Sequence, residues 1–450
     1  MFGSKSFYMS VWRWHFFAGL YVVPFLIMLS ITGLIMLYAP LIERTLNANL
    51  FHVDQVTDQA ISYQQQYQLV QAQYPESTVS QFFLPAAADE TTRFQVKTAG
   101  DTLSVFVDPY KGEVLGSLSI SQSLLAWGEN THSSFMVGAT GERMIEVAAS
   151  LTVLLILTGV FLWWPAKGES KIKAATTIRK KGGRVFWRDL HSVIGVWAAL
   201  ILLFYCISGL SWASLWGGQM TQAWSTFPME KSASSVSSTL THEDLNVKGL
   251  KQIPWGLEQA PLPESTSTGP TSITLDRVVA DAKALGFTQF QVHFPKNEVG
   301  VYTATASTMG KDITNAWDDR TVHFDQYSGE TLVDVGFADY NAFAKSMAAG
   351  VALHMGQFGL WNLIASTLFA LSVIVLCVSG VIMWWKRRPS ARFALSPPPI
   401  PKNFARWKHA VWLLLPISLL FPMAAVAIAA TVVFDILAQM IVPKVRNIWA

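Results

Sequence analysis

Long apolar runs interrupt the chain at five places, about 13 to 38, 142 to 164, 190 to 214, 359 to 385 and 411 to 435. Each is long enough to cross a bilayer core as a helix, which takes roughly 18 to 20 residues, so five membrane spans are predicted. The first run is long, and Tyr38, Ala39 and Pro40 make a poor cleavage site, so it is read as an uncleaved helix rather than a secretory signal. Elsewhere the pattern shortens to alternation of apolar and polar residues. VFVDPYKGEVLG (Val105 to Gly116) and VHFDQYSGETLVDV (Val322 to Val335) each read as a β-hairpin. A helix-compatible stretch precedes each, 57 to 74 and 274 to 286, the second stopping at Gly286 before the strand candidate FTQFQVHF. The Ser, Thr and Pro-rich stretch from 231 to 272 lacks a period and is read as an irregular connection.

The pattern repeats. HFFAGLYVVPFLIMLSITGL from His15 and HSVIGVWAALILLFYCISGL from His191 share a glycine four residues on (Gly19, Gly195) and a hydroxyl-glycine pair ending eighteen on (Gly33, Gly209). Gly138 and Gly359 each precede another glycine by twenty-one residues (Gly159, Gly380), and Trp163, Trp164, Trp384 and Trp385 follow in matching frame. In the hairpins, Asp108, Tyr110, Gly112, Glu113 and Leu115 match Asp325, Tyr327, Gly329, Glu330 and Leu332. A duplicated helix-domain-helix unit explains all three matches.

Charge assigns the sides. Residues between Pro165 and Leu190 include eight Lys or Arg against two acids, and those from Lys386 to His409 seven against none. By the positive-inside rule both loops and the N-terminus face the cytoplasm, leaving 40 to 140 and 217 to 350 outside. Those outer segments are acidic, so the net charge of +3 offers no nucleic-acid surface. Hydrophobic residues make up 51% of the chain and charged ones 14%, as suits a membrane protein. Cys206 and Cys377 fall inside apolar runs and read as small packing residues, without a disulfide framework or thiolate metal site. The Trp-Trp pairs beside the basic loops read as aromatic belts.

Four histidines stand at helix entrances: His15, His132, His191 and His354. An imidazole nitrogen is a good axial ligand for haem iron, and two facing histidines in a bundle fill both positions, which favours electron transfer. Spans one and three run outward and two and four inward. Depth therefore pairs His15 with His191 at the cytoplasmic face and His132 with His354 at the outer face, giving two bis-histidine haems b. From His132 to Trp163 is 31 residues, roughly 45 Å of continuous helix against a core of roughly 30 Å. The outer ligands then stand at or above the headgroups unless glycines 138, 141, 356 and 359 mark bends. His409 is an interfacial residue and the first substitute for an inner ligand, whereas His52, His242, His293 and His323 lack metal-type spacing and are read as solvated or strand-face residues. The glycines serve close packing of helices or of a flat macrocycle. Arg13, Arg184 and Arg188 lie near the inner histidines, where pairing with haem propionates and positive-inside topology account for them equally well, so no ligand role is assigned.

The ordered set of His15, His132, DLHS (Asp189 to Ser192), LHMG (Leu353 to Gly356), two DPY/DQY hairpins and SG or TG followed by WW resembles the PepSY-associated transmembrane helix family, over residues 11 to 388. The resemblance implies an all-α transmembrane bundle of about five spans carrying two small α+β PepSY-like periplasmic domains, in a bacterial inner membrane. The expected boundaries are 1–39, 40–130, 131–165, 166–189, 190–216, 217–345, 346–386, 387–409 and 410–450, with the PepSY-like domains second and sixth. It also implies a membrane cytochrome carrying electrons to the periplasm, in some members to reduce ferric siderophores.

No phosphate loop, dinucleotide fingerprint, zinc-protease helix or nucleophile elbow is present in the sequence. The expected function is a di-haem transmembrane oxidoreductase fed by quinol or a cytoplasmic reductase and reducing a ferric-siderophore or other ferric chelate. The alternatives are a haem-free membrane-anchored PepSY interaction protein and a metal-chelate transporter. The first four spans are read as free of carboxylates, with Asp435 in the fifth, which weighs against transport.

Overall fold

The computed structural model describes residues 5–165, 168–180, 182–217, 237–246, 252–269, 271–388, 398, 416 and 418–429. The chain divides into two compact units, one of Met1–Leu34, Thr131–Thr221 and Ala365–Ala450, the other of Ile35–Asn130 and Gln222–Ile364.

The first unit is helical. Its long helices are α1 (Lys5–Leu46), of which the first part belongs here, α5 (Ala139–Trp163), α7 (Gly183–Leu210) and most of α10 (Gly359–Arg387). Among the described residues, four helices are long and apolar enough to cross a membrane: Phe7–Leu46, Ala139–Trp163, Gly183–Leu210 and Gly359–Arg387. They match the first four predicted spans, and the fifth, 411 to 435, falls partly outside the described residues. Val22, Leu154, Cys206 and Leu210 are buried together between the helices, so Cys206 packs as its apolar setting predicts. The first helix is longer than expected and continues through Pro40 to Leu46.

Of the two alternatives for these long stretches, the chain takes the bend. The chain from His132 to Trp163 is two helices, α4 (Leu124–Ser134) and α5, separated by a turn in which Phe135, Met136 and Gly138 all have positive φ. A side chain at Gly141 would put its Cβ 1.7 Å from the Ser134 carbonyl oxygen, so only glycine lets α5 start against the end of α4. The duplicate break lies between α9 (Ala342–His354) and α10, with Gly356 and Gly359 at positive φ. Asn362 clamps that turn, accepting from Phe358 N at 3.1 Å and donating to Leu353 O at 3.1 Å.

The second unit carries the α+β structure expected beside the helical bundle, so the chain is not purely all-α, but the two hairpin-bearing copies share one eight-stranded sheet instead of having one each. The first copy has α2 (Ala48–Phe51), α3 (Tyr63–Gln73), β1 (Thr78–Phe83), β2 (Thr92–Lys97), β3 (Thr102–Asp108) and β4 (Glu113–Ser119). The second has α8 (Leu275–Ala284), β7 (Gln291–His293), β8 (Val301–Ala306), β9 (Arg320–Asp325) and β10 (Thr331–Gly336). Between them come α6 (Lys171–Thr176), in the helical unit, and a small ribbon of β5 (Ser237–Thr241) with β6 (Pro261–Pro263), where no regular structure was expected.

The eight strands run β10-β9-β8-β7-β1-β2-β3-β4. At the join, β1 and β7 are antiparallel with Phe82 opposite Val292, and Gln81 Nε2 donates to Gln291 Oε1. Beneath the sheet, Phe82, Phe94, Val105, Val292 and Phe324 bury against Val70 of α3 and Val278 of α8, forming one core from both copies. The helices also cap each other: Asp276 accepts from Tyr63 N at 2.9 Å and Gln64 N at 3.1 Å, and Gln64 Oε1 accepts from Leu275 N at 2.8 Å.

Candidate functional site

The helical unit brings His15 and His191 together. Their ring centroids stand 6.3 Å apart with the planes at 90°. His191 Nδ1 lies 3.0 Å from the Leu376 carbonyl oxygen and 3.0 Å from Ser379 Oγ. A carbonyl only accepts, so this nitrogen carries the proton and Nε2 keeps its lone pair. His15 Nδ1 lies 3.0 Å from Thr158 Oγ1, whose own proton goes to the Leu154 carbonyl at 2.6 Å. The hydroxyl therefore accepts from His15 Nδ1–H, and His15 too presents a bare Nε2.

His132 repeats the arrangement at another level of α1. Its Nδ1 lies 2.9 Å from Thr32 Oγ1, and Thr32 donates to the Met28 carbonyl at 2.8 Å. Seventeen residues separate His15 from Thr32, a rise of about 25 Å along the helix. The break between α4 and α5 accordingly sets His132 closer to the level of His15 than an unbroken helix would. His354 ends α9 and belongs to the sheet-bearing unit.

Three of the four hydroxyl-glycine pairs thus receive a histidine: Thr32-Gly33 takes His132, Thr158-Gly159 takes His15, and Ser379-Gly380 takes His191. The hydroxyl orients the imidazole while the glycine leaves room for it. A Cβ on Gly159 would lie 3.2 Å from His15 Cε1, on Gly380 3.5 Å from His191 Cε1, and on Gly33 3.7 Å from His132 Cε1. The hydroxyl-glycine spacing was visible in the sequence, but the hydroxyls' role as imidazole acceptors was missed. Ser208, in the fourth pair, back-bonds to the Phe204 carbonyl at 2.7 Å in the same fashion.

The chain belongs to the PepSY-associated TM region family. Its family model matches residues 12–387, and no curated protein matches the chain. In this family member, the DLHS aspartate fixes the start of α7. Asp189 is buried and accepts from Arg179 Nε at 2.7 Å and Nη2 at 2.8 Å, with Arg188 Nη2 at 3.0 Å. This bidentate clamp holds the basic loop two residues before His191 and engages Arg188.

Two expectations need correction. The first four spans do carry buried acid: Glu146 in α5 is 1% exposed. It is tolerated because Trp216 N donates to it at 3.1 Å and Arg143 Nη1 at 3.3 Å. In the sheet-bearing unit, His242, His293 and His323 are buried rather than solvated, although His293 and His323 do lie on strands. His242 Nδ1 lies 2.7 Å from the Ala260 carbonyl and its Nε2 3.0 Å from His323 Nε2, while His323 Nδ1 lies 2.9 Å from Thr303 Oγ1. One neutral chain satisfies all three contacts, with Thr303 donating to His323, His323 to His242, and His242 to Ala260. Burial lowers His242 to about 4 and His293 to about 3, which agrees with neutral rings. His52 stays half-exposed, 3.3 Å from Asp89. Among the described residues, no group of three or more His, Cys, Asp or Glu is arranged to hold a metal ion.

Proposed function

We propose that this protein is a di-haem b electron carrier of the bacterial inner membrane, passing electrons outward to a ferric-siderophore or other ferric chelate. The observation that carries the reading is the facing pair of His15 and His191. Two metal–imidazole bonds of about 2 Å and two ring radii of about 1 Å sum to about 6 Å, close to the 6.3 Å between their centroids. Both Nδ1 positions are occupied by hydrogen bonds, leaving Nε2 on each ring to ligate. Such second partners fix the tautomer and raise ligand basicity. A haem b held by His15 and His191 would supply a one-electron Fe(III)/Fe(II) couple.

The surrounding residues orient these two rings and exclude water from them. Thr158 and Ser379 hold the imidazoles, Gly159 and Gly380 leave room for the rings, and the apolar helices keep the site dry. The second haem of the proposal rests on the sequence frames that match His132 with His354, with His132 held in the same tautomer as the inner pair. The basic loops support a cytoplasmic N-terminus with both PepSY-like copies in the periplasm, and electrons arrive from quinol or a cytoplasmic reductase.

The test is an absorption spectrum of the detergent-purified protein before and after dithionite. About two haems per chain and a sharp reduced α band are expected. His15→Ala and His191→Ala should each remove the same centre, and His132→Ala the other. A colourless preparation that resists reconstitution with haem, or His15→Ala and His191→Ala removing different centres, refutes the reading.

A further inference from the structure

The two PepSY-like copies close one hairpin differently. In the first copy β2 passes to β3 through residues 98–101, whereas in the second β8 passes to β9 through the much longer loop 307–319. The longer loop is firmly held. Asp319 Oδ1 accepts from Thr308 N at 3.0 Å across its base, Asp312 Oδ2 from Gln291 Nε2 at 3.0 Å, and Ser307 Oγ from Gly310 N at 2.8 Å. Near its end a 3-10 turn, Ala316–Asp318, buries Ala316, and Asn315 Oδ1 accepts from Trp317 N at 3.3 Å. The Trp317 ring mounted on this turn is nevertheless 57% exposed.

One exposed apolar side chain is ordinary, but this one belongs to a row. Trp317 meets Phe337 at 5.8 Å and Phe358 at 5.3 Å between ring centroids, and Phe358 meets Trp361 at 6.4 Å. The row ends on the first turn of α10, where Leu360 and Trp361 are 70% and 61% exposed. In the first copy the matching glycine frame puts Val137 and Thr140 where Phe358 and Trp361 stand. The row, like the loop, belongs to the second copy alone.

The helix α10 sets the level of a bilayer along this row. Between Trp361 and Trp384 it has no Asp, Glu, Lys or Arg. The two tryptophans stand twenty-three residues apart, about 35 Å of helix against an apolar core of about 30 Å. They therefore fall in opposite headgroup layers, where tryptophan is favoured. Trp317 lies two ring contacts from Trp361, which brings the same layer within its reach. Its indole suits that place. Among the described residues, the indole N–H groups of Trp163, Trp197 and Trp216 donate to backbone carbonyls, whereas those of Trp317 and Trp361 have no acceptor in the protein. An apolar ring with a free donor is matched by acyl carbons on one side and phosphate or ester oxygens on the other.

We propose that the β8–β9 loop is a membrane-docking loop that seats Trp317 in the headgroup layer at the Gly359 end of α10. Both signs of charge flank the row: Asp318 Oδ2 accepts from Asn315 Nδ2 at 2.9 Å, and Lys345 Nζ stands 5.9 Å from the Phe337 centroid. Such a surface suits zwitterionic lipid, with burial of the ring rather than net charge supplying the attachment. The loop thus gives the sheet-bearing unit a lipid contact well before α10 begins, and this contact is independent of the haem reading.

The experiment uses the full chain carrying Cys206→Ala and Cys377→Ala, in phosphatidylcholine nanodiscs with and without a lipid bearing a headgroup nitroxide. A polarity-sensitive fluorophore is attached at Thr314→Cys, exposed in the same loop, or at Val299→Cys, exposed beyond the other end of β8, about 20 Å from the loop. The nitroxide should remove most of the emission at 314 and little at 299. Trp317→Glu should release the loop and bring quenching at 314 down to the level at 299, and Trp317→Phe, which keeps an apolar ring, should not. Equal quenching at the two sites with Trp317 in place, or quenching at 314 undiminished by Trp317→Glu, overturns the proposal.

Discussion

The glycines beside the inner histidines are not equivalent. A Cβ at Gly159 would fall 3.2 Å from His15 Cε1, inside ordinary contact, whereas at Gly380 it would fall 3.5 Å from His191 Cε1. Gly159→Ala must push the His15 ring aside by a few tenths of an ångström, and Gly380→Ala need not move anything. The expected outcome is a changed spectrum or lower haem content for the first and a wild-type spectrum for the second. Elsewhere at this scale, Asp319 is buried and its carboxyl is raised to about 7 by that burial, against the hydrogen bond from Thr308 N. A raised acid contributes stability below its ordinary value of about 4 and loses it as pH rises toward 7. Buried His242 acts in the opposite sense, contributing above about 6.5 and losing stability as pH falls toward 4. Asp319→Asn removes the first trend alone. Its thermal midpoint should exceed wild type by more at pH 8 than at pH 4, and an equal difference at both pH values would contradict the assignment. The imidazole sites were legible as positions in repeated frames. Their hydroxyl partners lie on other helices, and nothing local in the sequence says which serine or threonine a histidine will meet.

At the scale of elements, the predicted spans agree with the four apolar helices because long apolar runs state their own length and period. The helices expected at 57 to 74 and 274 to 286 are shorter, Tyr63–Gln73 and Leu275–Ala284, each opening at a side-chain cap, Ser62 or Thr274. Gly286, at φ 96, follows the second helix as expected. The glycines at 138, 141, 356 and 359 marked where spans two and four could bend, the alternative to placing their histidines at or above the headgroups. The positive φ of Phe135 and Met136 could not be read, since neither residue favours it. Gly141→Val should be the most damaging single change at this break, because its Cβ would meet the Ser134 carbonyl oxygen at 1.7 Å. Loss of His132-dependent signal with the His15 centre retained is the expected spectrum. Loss of both centres together would mean that the turn serves the whole bundle instead of placing α4.

The whole molecule shows what sequence patterns conceal most. Both hairpins were visible, and so was their duplication, but the pairing of β1 with β7 joins residues about two hundred positions apart and leaves no periodic trace. Expecting two domains was reasonable from each copy's own strands. What merges them is the Phe82–Val292 register, the shared apolar core and the mutual capping by Asp276 and Gln64. The join has a price that appears only when the copies are parted. A fragment of residues 1–165 would present the free edge of β1, with its backbone N–H and C=O groups open to another chain. The same fragment would leave the first turn of α3 without its aspartate. Such a half should self-associate in nanodiscs, as read by cross-linking, while the full chain under the same conditions should not pair through β1. Each copy is thus the other's guard against aggregation, and duplication within one chain supplies that guard at an effective concentration no separate partner can match.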